Sequence, residues 1–327
     1  MISTLDLARI CGVSQGTVDR ALHNRPGIGR ETREKILVAA REHGYQPHPA
    51  ARELLTGDRR VVGAIVPSVN SVFFMDLMNA IRAEIVPLGY HFFLSPATGR
   101  EEFLHILRDF AARRARAVLF VPPDGDIAFP GEITAGGTAL VSLANPCPGT
   151  PALFLGPDEV QTGRTAVEYL AGRGHRRILH VTYGRKAHAI EARARGYADA
   201  MAARGLEPAV LRPLEPESLG RAMGEYKPTA LFCHNDWLAL SVMRMLEARG
   251  LKVPGDISVL GVDNSPTFGE LCPGITTLAY PAAEIARGVR ELLMGGRPSS
   301  AISPCHPVEG LTVANIPGRT GNASNGG

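Results

Sequence analysis

The sequence predicts an N-terminal all-α helix-turn-helix head, a hinge, and a C-terminal α/β domain of two lobes built on parallel sheets. Three observations point there. The first sixty residues hold ten Lys and Arg against seven Asp and Glu, so the whole net charge of +3 lies in them. Within that stretch two short amphipathic segments meet at a glycine, and the second has a polar outer face. From Val61 onward, short apolar runs alternate with helical stretches over about 255 residues, the pattern of parallel strands covered by helices on both faces. The expected divisions are a head over 1–46, a hinge over 47–60, a large domain over 61–315 and a tail over 316–327.

In the head, Thr4–Cys11 reads as a helix that Ser3 can cap, with Asp6 three residues on and Leu5 and Ala8 on one face. Gly12 supplies the left-handed backbone of a sharp turn, and Val13 is an apolar plug. Ser14 caps a second helix whose inward stripe is Val18, Ala21 and Leu22. That leaves Gln15, Gly16, Thr17, Asp19, Arg20 and His23 facing outward. A third helix runs from about Arg30 to His43, Gly44 stops it, and Tyr45 packs back against it. Two short helices joined at a glycine form a helix-turn-helix, whose second helix can enter a major groove. An ordinary three-helix bundle fits the same spacing.

Pro47 and Pro49 end the third helix, and Ala50–Thr56 has good helix formers closed by Gly57. Seven residues are too few for a free helix, because isolated helices below about 12–15 residues are marginal. A plain linker accounts for the prolines and the glycine, but Leu54 and Leu55 are an unusual pair to leave in water.

In the large domain the apolar runs VVGAIV, HFFLS, AVLFV, RILHV, ALFCH and ISVLGV read as strands. The helical stretches cover about Phe73–Val86, Glu101–Arg113, Ile190–Arg204 and Asp236–Arg249. The length exceeds what one such sheet needs, so two lobes are expected, with a binding crevice at strand carboxyl ends. The stretch from Ile316 to Gly327 is polar and rich in Gly and Asn, a composition that favours disorder.

Other function classes lack their residues. No apolar run approaches the roughly 18 residues of a membrane helix, and the start MISTLDLARI lacks a secretory pattern, so a cytoplasmic protein without membrane contact is expected. Five scattered cysteines without a CxxC pair argue for reduced thiols and against zinc or disulfides. Cys233 and His234 are neighbours along a strand and point to opposite faces, which defeats a nucleophile–base dyad. There is no phosphate-cradling G-x-x-x-x-G-K-[ST] and no H-E-x-x-H. The chain is expected to be no enzyme and to carry no cofactor or metal.

Residues 3–57, with the GVS turn, the TV-x-R-AL helix and the ETRE…AAREHGY helix, resemble the headpiece of the lac-repressor (LacI/GalR) family of bacterial transcription regulators. The resemblance implies that Gln15, Gly16 and Arg20 occupy base-reading positions, that Ser14 and Thr17 meet phosphate, and that His23 is a further candidate for base contact. The chemistry agrees: a Gln amide pairs with adenine and an Arg fork with guanine, each worth about 1–3 kcal/mol of discrimination. Asp19 departs from the family's usual Ser and is expected to brace Arg20 or another basic group. The family's hinge becomes helical when two chains meet over the minor groove, which puts Leu54 at the position that wedges between base pairs, with Ala51 and Arg52 beside it. Such a wedge costs about a few kcal/mol of unstacking per step and gains wrapped surface.

The segments VVGAIVPSVNSVFF, D-E-V-x-x-G-R-x-A-V-x-Y-L-x-x-x-G-H-R-R-I at 158–178, ALFCHNDWLALSVMRMLEARGLKVPGDISVLGVDN at 230–264 and TTLAYPAAEIARGVRELL at 276–293 resemble the same family's periplasmic-binding-protein-like effector domain. The resemblance implies an N-lobe of about 61–157 plus 281–303 and a C-lobe of about 158–280 plus 304–315. It carries ligand contact onto Phe73, Phe74, Asp158, Arg193, Asn235, Asp263 and Tyr280. Carboxylates accept paired hydroxyls, Asn offers donor and acceptor, Arg donates a fork, and aromatic faces cover apolar ring surface, a set that suits a polyhydroxylated ligand. Simpler roles compete at several positions: core packing for Phe73 and Phe74, a helix cap for Asp158, the interlobe crossover for Tyr280. Asp236 is expected to cap a helix, and Trp237 to pack in the core rather than stack on a sugar. The function implied is a DNA-binding transcription regulator, a repressor acting as a homodimer on near-palindromic operator DNA and controlled by a small-molecule effector. A sugar or sugar derivative is the first expectation for that effector and a nucleoside or nucleobase the second. The competing class is a solute receptor feeding a sugar transporter.

Overall fold

The computed structural model describes residues 2–45, 59–123, 127, 129, 131–185, 187–299 and 302–316. The chain forms two compact units, Met1–Arg59 and Arg60–Gly327.

Among its described residues the small unit has three helices, α1 (Thr4–Cys11), α2 (Gln15–Leu22) and α3 (Arg30–Glu42). Ser3 and Asp6 form a reciprocal capping box on α1, and Gly12 takes the left-handed φ of 70° that ends it. Ser14 caps α2 by accepting from the Thr17 N–H at 3.2 Å. Helices of eight residues do not hold alone; these are held by a shared core in which Leu7, Val18 and Ile36 have no exposed surface. Tyr45 packs against that core, and its N–H donates to Ala40 at 2.8 Å. The expected hinge residues Pro47, Pro49, Arg52 and Leu54 lie outside the described residues.

The large unit contains two sheets. The first has the order β2-β1-β3-β4-β5, from β1 (Val61–Val66), β2 (His91–Pro96), β3 (Ala117–Phe120), β4 (Ala139–Leu143) and β5 (Leu153–Leu155), all parallel. The second has the order β11-β10-β9-β8-β6-β7, from β6 (Ile178–Val181), β7 (Ala209–Leu211), β8 (Ala230–Cys233), β9 (Ser258–Asp263), β10 (Thr276–Ala279) and β11 (His306–Val308). Only β11 runs antiparallel to its neighbour. β3 and β8 are buried along their whole length, which is why they read as unbroken apolar runs rather than as alternation.

The chain passes between the lobes three times. It leaves the first sheet after β5 to form the helix Glu159–Gly172, and it returns after β10 to form the helix Ala282–Leu293. That second helix packs along the helix Val72–Ile85, with Arg290 reaching Glu84 at 3.3 Å and the Tyr90 hydroxyl donating to the Leu293 carbonyl at 3.1 Å. The chain then crosses back to β11. The segment beyond β11 closes over the second sheet: the Thr312 hydroxyl donates to the Val259 carbonyl at 2.7 Å, and the Ile316 N–H to the Arg173 carbonyl at 2.8 Å. Ile316, expected as the start of the tail, is therefore bound to the lobe, and 317–327 lie outside the described residues. Among the described residues no helix is long and apolar enough to cross a membrane.

Candidate functional site

Each unit offers one site. In the small unit, α2 turns Val18 and Ala21 into the core, and this places Ser14, Gln15, Gly16, Arg20 and His23 on its exposed side, with Thr17 half-buried. Gln15 donates to the Thr4 hydroxyl at 2.9 Å, and Ser14 and Thr17 share a hydroxyl contact of 2.9 Å. Asp19 braces not Arg20 but two other bases: Arg25 at 3.1 Å and His23 at 3.0 Å. Arg20 makes no ion pair among the described residues, so its fork is uncommitted. With the Asp19 carboxylate turned onto Arg25, the helix face presents the Gln15 amide, one N–H of which is held by Thr4, and the Arg20 guanidinium, the two side chains suited to purine edges.

In the large unit, a cleft of about 450 Å³ lies between the lobes. Its lining follows from topology. Thr98, Asn145, Tyr183, His234, Asp263 and Tyr280 each stand at or just past the carboxyl end of a parallel strand, and Phe73 stands in the first turn of the helix Val72–Ile85 that follows β1. This is where an open parallel sheet presents unpaired backbone and mobile side chains to a ligand. The backbone is strained at the same place: Asp263 has φ 122°, Asn264 50° and Ala144 61°, conformations that side-chain-bearing residues adopt at a cost.

Of the residues expected at the ligand, Phe73, Phe74, Arg193, Asn235, Asp263 and Tyr280 all line this cleft. Asp158 does not. It is exposed and caps the helix Glu159–Gly172, accepting from the Val160 and Gln161 N–H groups at 2.9 and 3.1 Å. Its neighbour Glu159, the first helical residue, turns inward instead and is 4% exposed. Arg193 is 3% exposed, and its Nε and Nη2 donate to one oxygen of Glu159 at 2.9 and 2.6 Å while Nη1 donates to the His234 carbonyl. The expected ligand fork is thus largely spent inside the lobe, where it holds the floor of the cleft.

Asn235, not Asp236, caps the following helix Asp236–Glu247: its side-chain oxygen accepts from the Leu238 N–H and from the Tyr183 hydroxyl, both at 3.0 Å. Its amide NH₂ is left as a donor. Asp236 is buried between strands, accepting from the Thr277 hydroxyl at 2.6 Å and from the Asn264 N–H at 2.9 Å. It thereby fixes the loop that carries Asp263. Burial, and then the charge of Asp236, lift the Asp263 carboxyl well above the usual carboxylate range. Burial likewise raises Asp236 against the pull of its hydrogen bonds. The pair therefore favours one shared charge over two.

Two polar atoms of the cleft are buried without a partner, the Tyr280 hydroxyl and Nδ1 of His234. An unpaired buried polar group costs about 1–3 kcal/mol, so both are poised for polar groups of a ligand. Burial, then Arg193, hold His234 well below its ordinary value, so it is neutral near pH 7. Phe73 stands edge-on to Tyr280 with ring centroids 4.8 Å apart, joining the first lobe to the crossover. Cys233, beside His234, is fully buried in the core with its thiol raised by burial, which separates the two side chains as strand geometry requires.

Sequence reasoning passed over Glu159, Tyr183, His234 and Asn145. Tyr183 and His234 follow the strands RILHV and ALFC, so the rule that sites gather at strand carboxyl ends points to them. Asn145 follows β4, and Glu159 follows β5; neither strand stands out in the sequence. Trp237 is not core: it is 56% exposed.

A helix-turn-helix head carried on one chain with a two-lobed, cleft-bearing α/β domain defines a class, the ligand-responsive DNA-binding proteins. The family of bacterial regulatory proteins named lacI matches residues 4–48, and the periplasmic binding protein-like domain matches residues 167–315. The chain thus carries a helix-turn-helix domain of the lacI family of bacterial regulatory proteins and a periplasmic-binding-protein-like domain. It is 28% identical over 314 residues to the HTH-type transcriptional repressor PurR of Vibrio campbellii, covering 90% of this chain and 91% of that protein. The lac repressor dimer bound to operator and the anti-inducer ONPF aligns with a TM-score of 0.76 at 22% identity, covering 96% of this chain and 99% of that one. A periplasmic binding protein/LacI transcriptional regulator from Alkaliphilus metalliredigens, complexed with D-xylulofuranose, aligns with a TM-score of 0.66 at 24% identity over 78% of this chain and 99% of that one. The two structures carry the likeness of fold.

Proposed function

We propose that this protein is a sequence-specific transcription regulator, a repressor that binds near-palindromic operator DNA as a homodimer in the cytoplasm and is controlled by a sugar or sugar derivative held between its lobes. The observation that carries this reading is the pairing in one chain of an exposed Gln15–Arg20 helix face with an interlobe cleft that holds buried, unpartnered polar atoms. Gln15 and Arg20 read base edges, Ser14 and Thr17 meet phosphate, His23 adds a flanking contact, and Arg52 and Leu54 act at the minor groove.

In the cleft, Asp263, the Asn235 amide, the Tyr280 hydroxyl and His234 hydrogen-bond ligand hydroxyls, and Phe73 and Phe74 cover ring C–H surface. Glu159 and Asp263 bring two carboxyls to the cleft, which Arg185 and Arg193 also line, and Arg193 is committed to Glu159. The effector acts by binding the two lobe arrangements unequally, and regulators of this kind gain roughly 1–3 kcal/mol of coupling. A sugar receptor for a transporter leaves the exposed Gln15–Arg20 face of α2 without a role.

The test is selection of binding duplexes from a random pool by gel shift, followed by a salt series on the enriched sequence. Enrichment of a symmetric consensus, with affinity falling steeply as salt rises, is the expected result. Recovery of no consensus would overturn the reading. Asp263→Ala should then abolish the response to the effector and leave operator binding intact.

A further inference from the structure

We infer that the effector is a two-ring glycoside, a disaccharide, whose inner ring occupies the interlobe cleft and whose outer ring stacks on Trp237. The inference rests on the sugar reading of the cleft above and adds a second subsite to it.

A second cavity of about 380 Å³ opens outward from the cleft and shares Phe73, Tyr183, Asn235 and Asp263 with it as common wall. Each volume lies within the roughly 300–1,000 Å³ of ligand pockets, and the shared wall lets one ligand run through both. The outer chamber ends on Trp237, the only tryptophan of the chain. Its position is fixed from both sides. It is the second residue of the helix Asp236–Glu247, whose first residue is tied to Thr277 and Asn264. Its ring meets the buried Phe268 edge-on, with centroids 6.4 Å apart and planes at 67°.

An indole that meets Phe268 edge-on yet is 56% exposed keeps more than half of its surface outside the core. It presents an apolar face into a chamber whose remaining wall includes the Ser68 hydroxyl and the Asn70 amide. A flat apolar face ringed by small hydrogen-bonding groups is complementary to a sugar ring, which has C–H surface on its faces and hydroxyls around its rim. The two chambers also divide the chemistry. The inner one holds Glu159, Arg193 and the unpartnered Tyr280 and His234 atoms, which demand polar groups. The outer one lacks those groups and supplies the platform.

Because Trp237 is the sole tryptophan, indole fluorescence reports on the outer subsite alone. The full-length protein is titrated with cellobiose, maltose, lactose and trehalose, with glucose and galactose, and with adenosine and cytidine, while fluorescence and melting temperature are followed. One disaccharide should shift the Trp237 emission, raise the melting temperature, and bind roughly tenfold more tightly than its constituent monosaccharide. In calorimetry, Trp237→Ala should reduce disaccharide affinity to the monosaccharide level and leave monosaccharide affinity unchanged, with Trp237→Phe in between. A monosaccharide that binds as tightly as any disaccharide overturns the outer subsite and leaves the sugar reading standing. Emission unmoved by every disaccharide likewise overturns it. Binding of a nucleoside and of no sugar overturns both.

Discussion

Gly196 faces Val160 so closely that a Cβ on the glycine would stand 1.9 Å from the Val160 carbonyl oxygen. The mirror contact is almost as tight, since a Cβ on Gly163 would stand 2.2 Å from the Arg193 carbonyl oxygen. The helices Glu159–Gly172 and His188–Ala202 therefore touch backbone to backbone, and that approach is what lets Arg193 reach Glu159 within 2.6 Å. Gly196→Ala must push the helices apart against backbone, which has no rotamer to yield. We expect a loss of about 1–3 kcal/mol or more in urea unfolding, together with a weakened effector response. A variant with wild-type stability would contradict this contact.

The second prediction concerns pH. Burial pushes the Asp236 carboxyl up to about 7. A carboxyl whose folded value is raised above its unfolded one contributes stability that is full in acid and lost as pH rises through the folded value. Between pH 5 and pH 8 the large unit should lose stability on the order of a few kcal/mol through this group, and Asp236→Asn should lose less over that range. The Asn side chain keeps an acceptor for the Asn264 N–H and a donor toward Thr277. Parallel pH profiles of wild type and variant, measured by urea unfolding, would show that the group does not titrate there.

Arg20 and Asp19 separate base reading from bracing. Arg20→Ala should relax base preference at one position of each operator half-site and weaken the selected operator by about 1–3 kcal/mol. Asp19→Ala frees Arg25 and His23 instead and should strengthen binding to all sequences alike, because it removes a negative charge near phosphate. Gel-shift selection on both variants distinguishes the two effects. Uniform weakening by Arg20→Ala would remove it from base reading.

Asp76 spans the mouth of the cleft, from the helix Val72–Ile85 to the opposite lobe. It accepts from the Ser265 hydroxyl and from that of Thr267, the latter at 2.8 Å. Asp76→Ala removes both bonds and should favour the open arrangement, lowering effector affinity roughly tenfold and enlarging the radius of gyration in solution scattering. Unchanged affinity and unchanged size would show that this bridge does not bias closure.

The head was legible almost to the residue, because its signals are local. The Ser3–Asp6 box, the Gly12 turn and the Ser14 cap each act within four residues of the backbone they terminate. β1, β2, β3, β6, β8 and β9 were legible as apolar runs, whereas β4 and β10 were not singled out. β5, β7 and β11 were not, because three residues each carry no period.

Only the tertiary structure chose between neighbours in sequence. Asp158 and Glu159 are both acidic and stand at one helix start, yet one caps that helix in solvent and the other meets Arg193 inside. Asn235 lines the cleft and also caps the helix, the role expected of Asp236, which is instead buried against Thr277 and Asn264. One residue along a helix turns a side chain by about 100°, and nothing within either pair of residues says which direction holds the cleft. That depends on where the partner lies, and Arg193 and Thr277 arrive from 34 and 41 residues away. Local backbone chemistry determined the head and the order of elements; the site was decided by which distant strands end side by side.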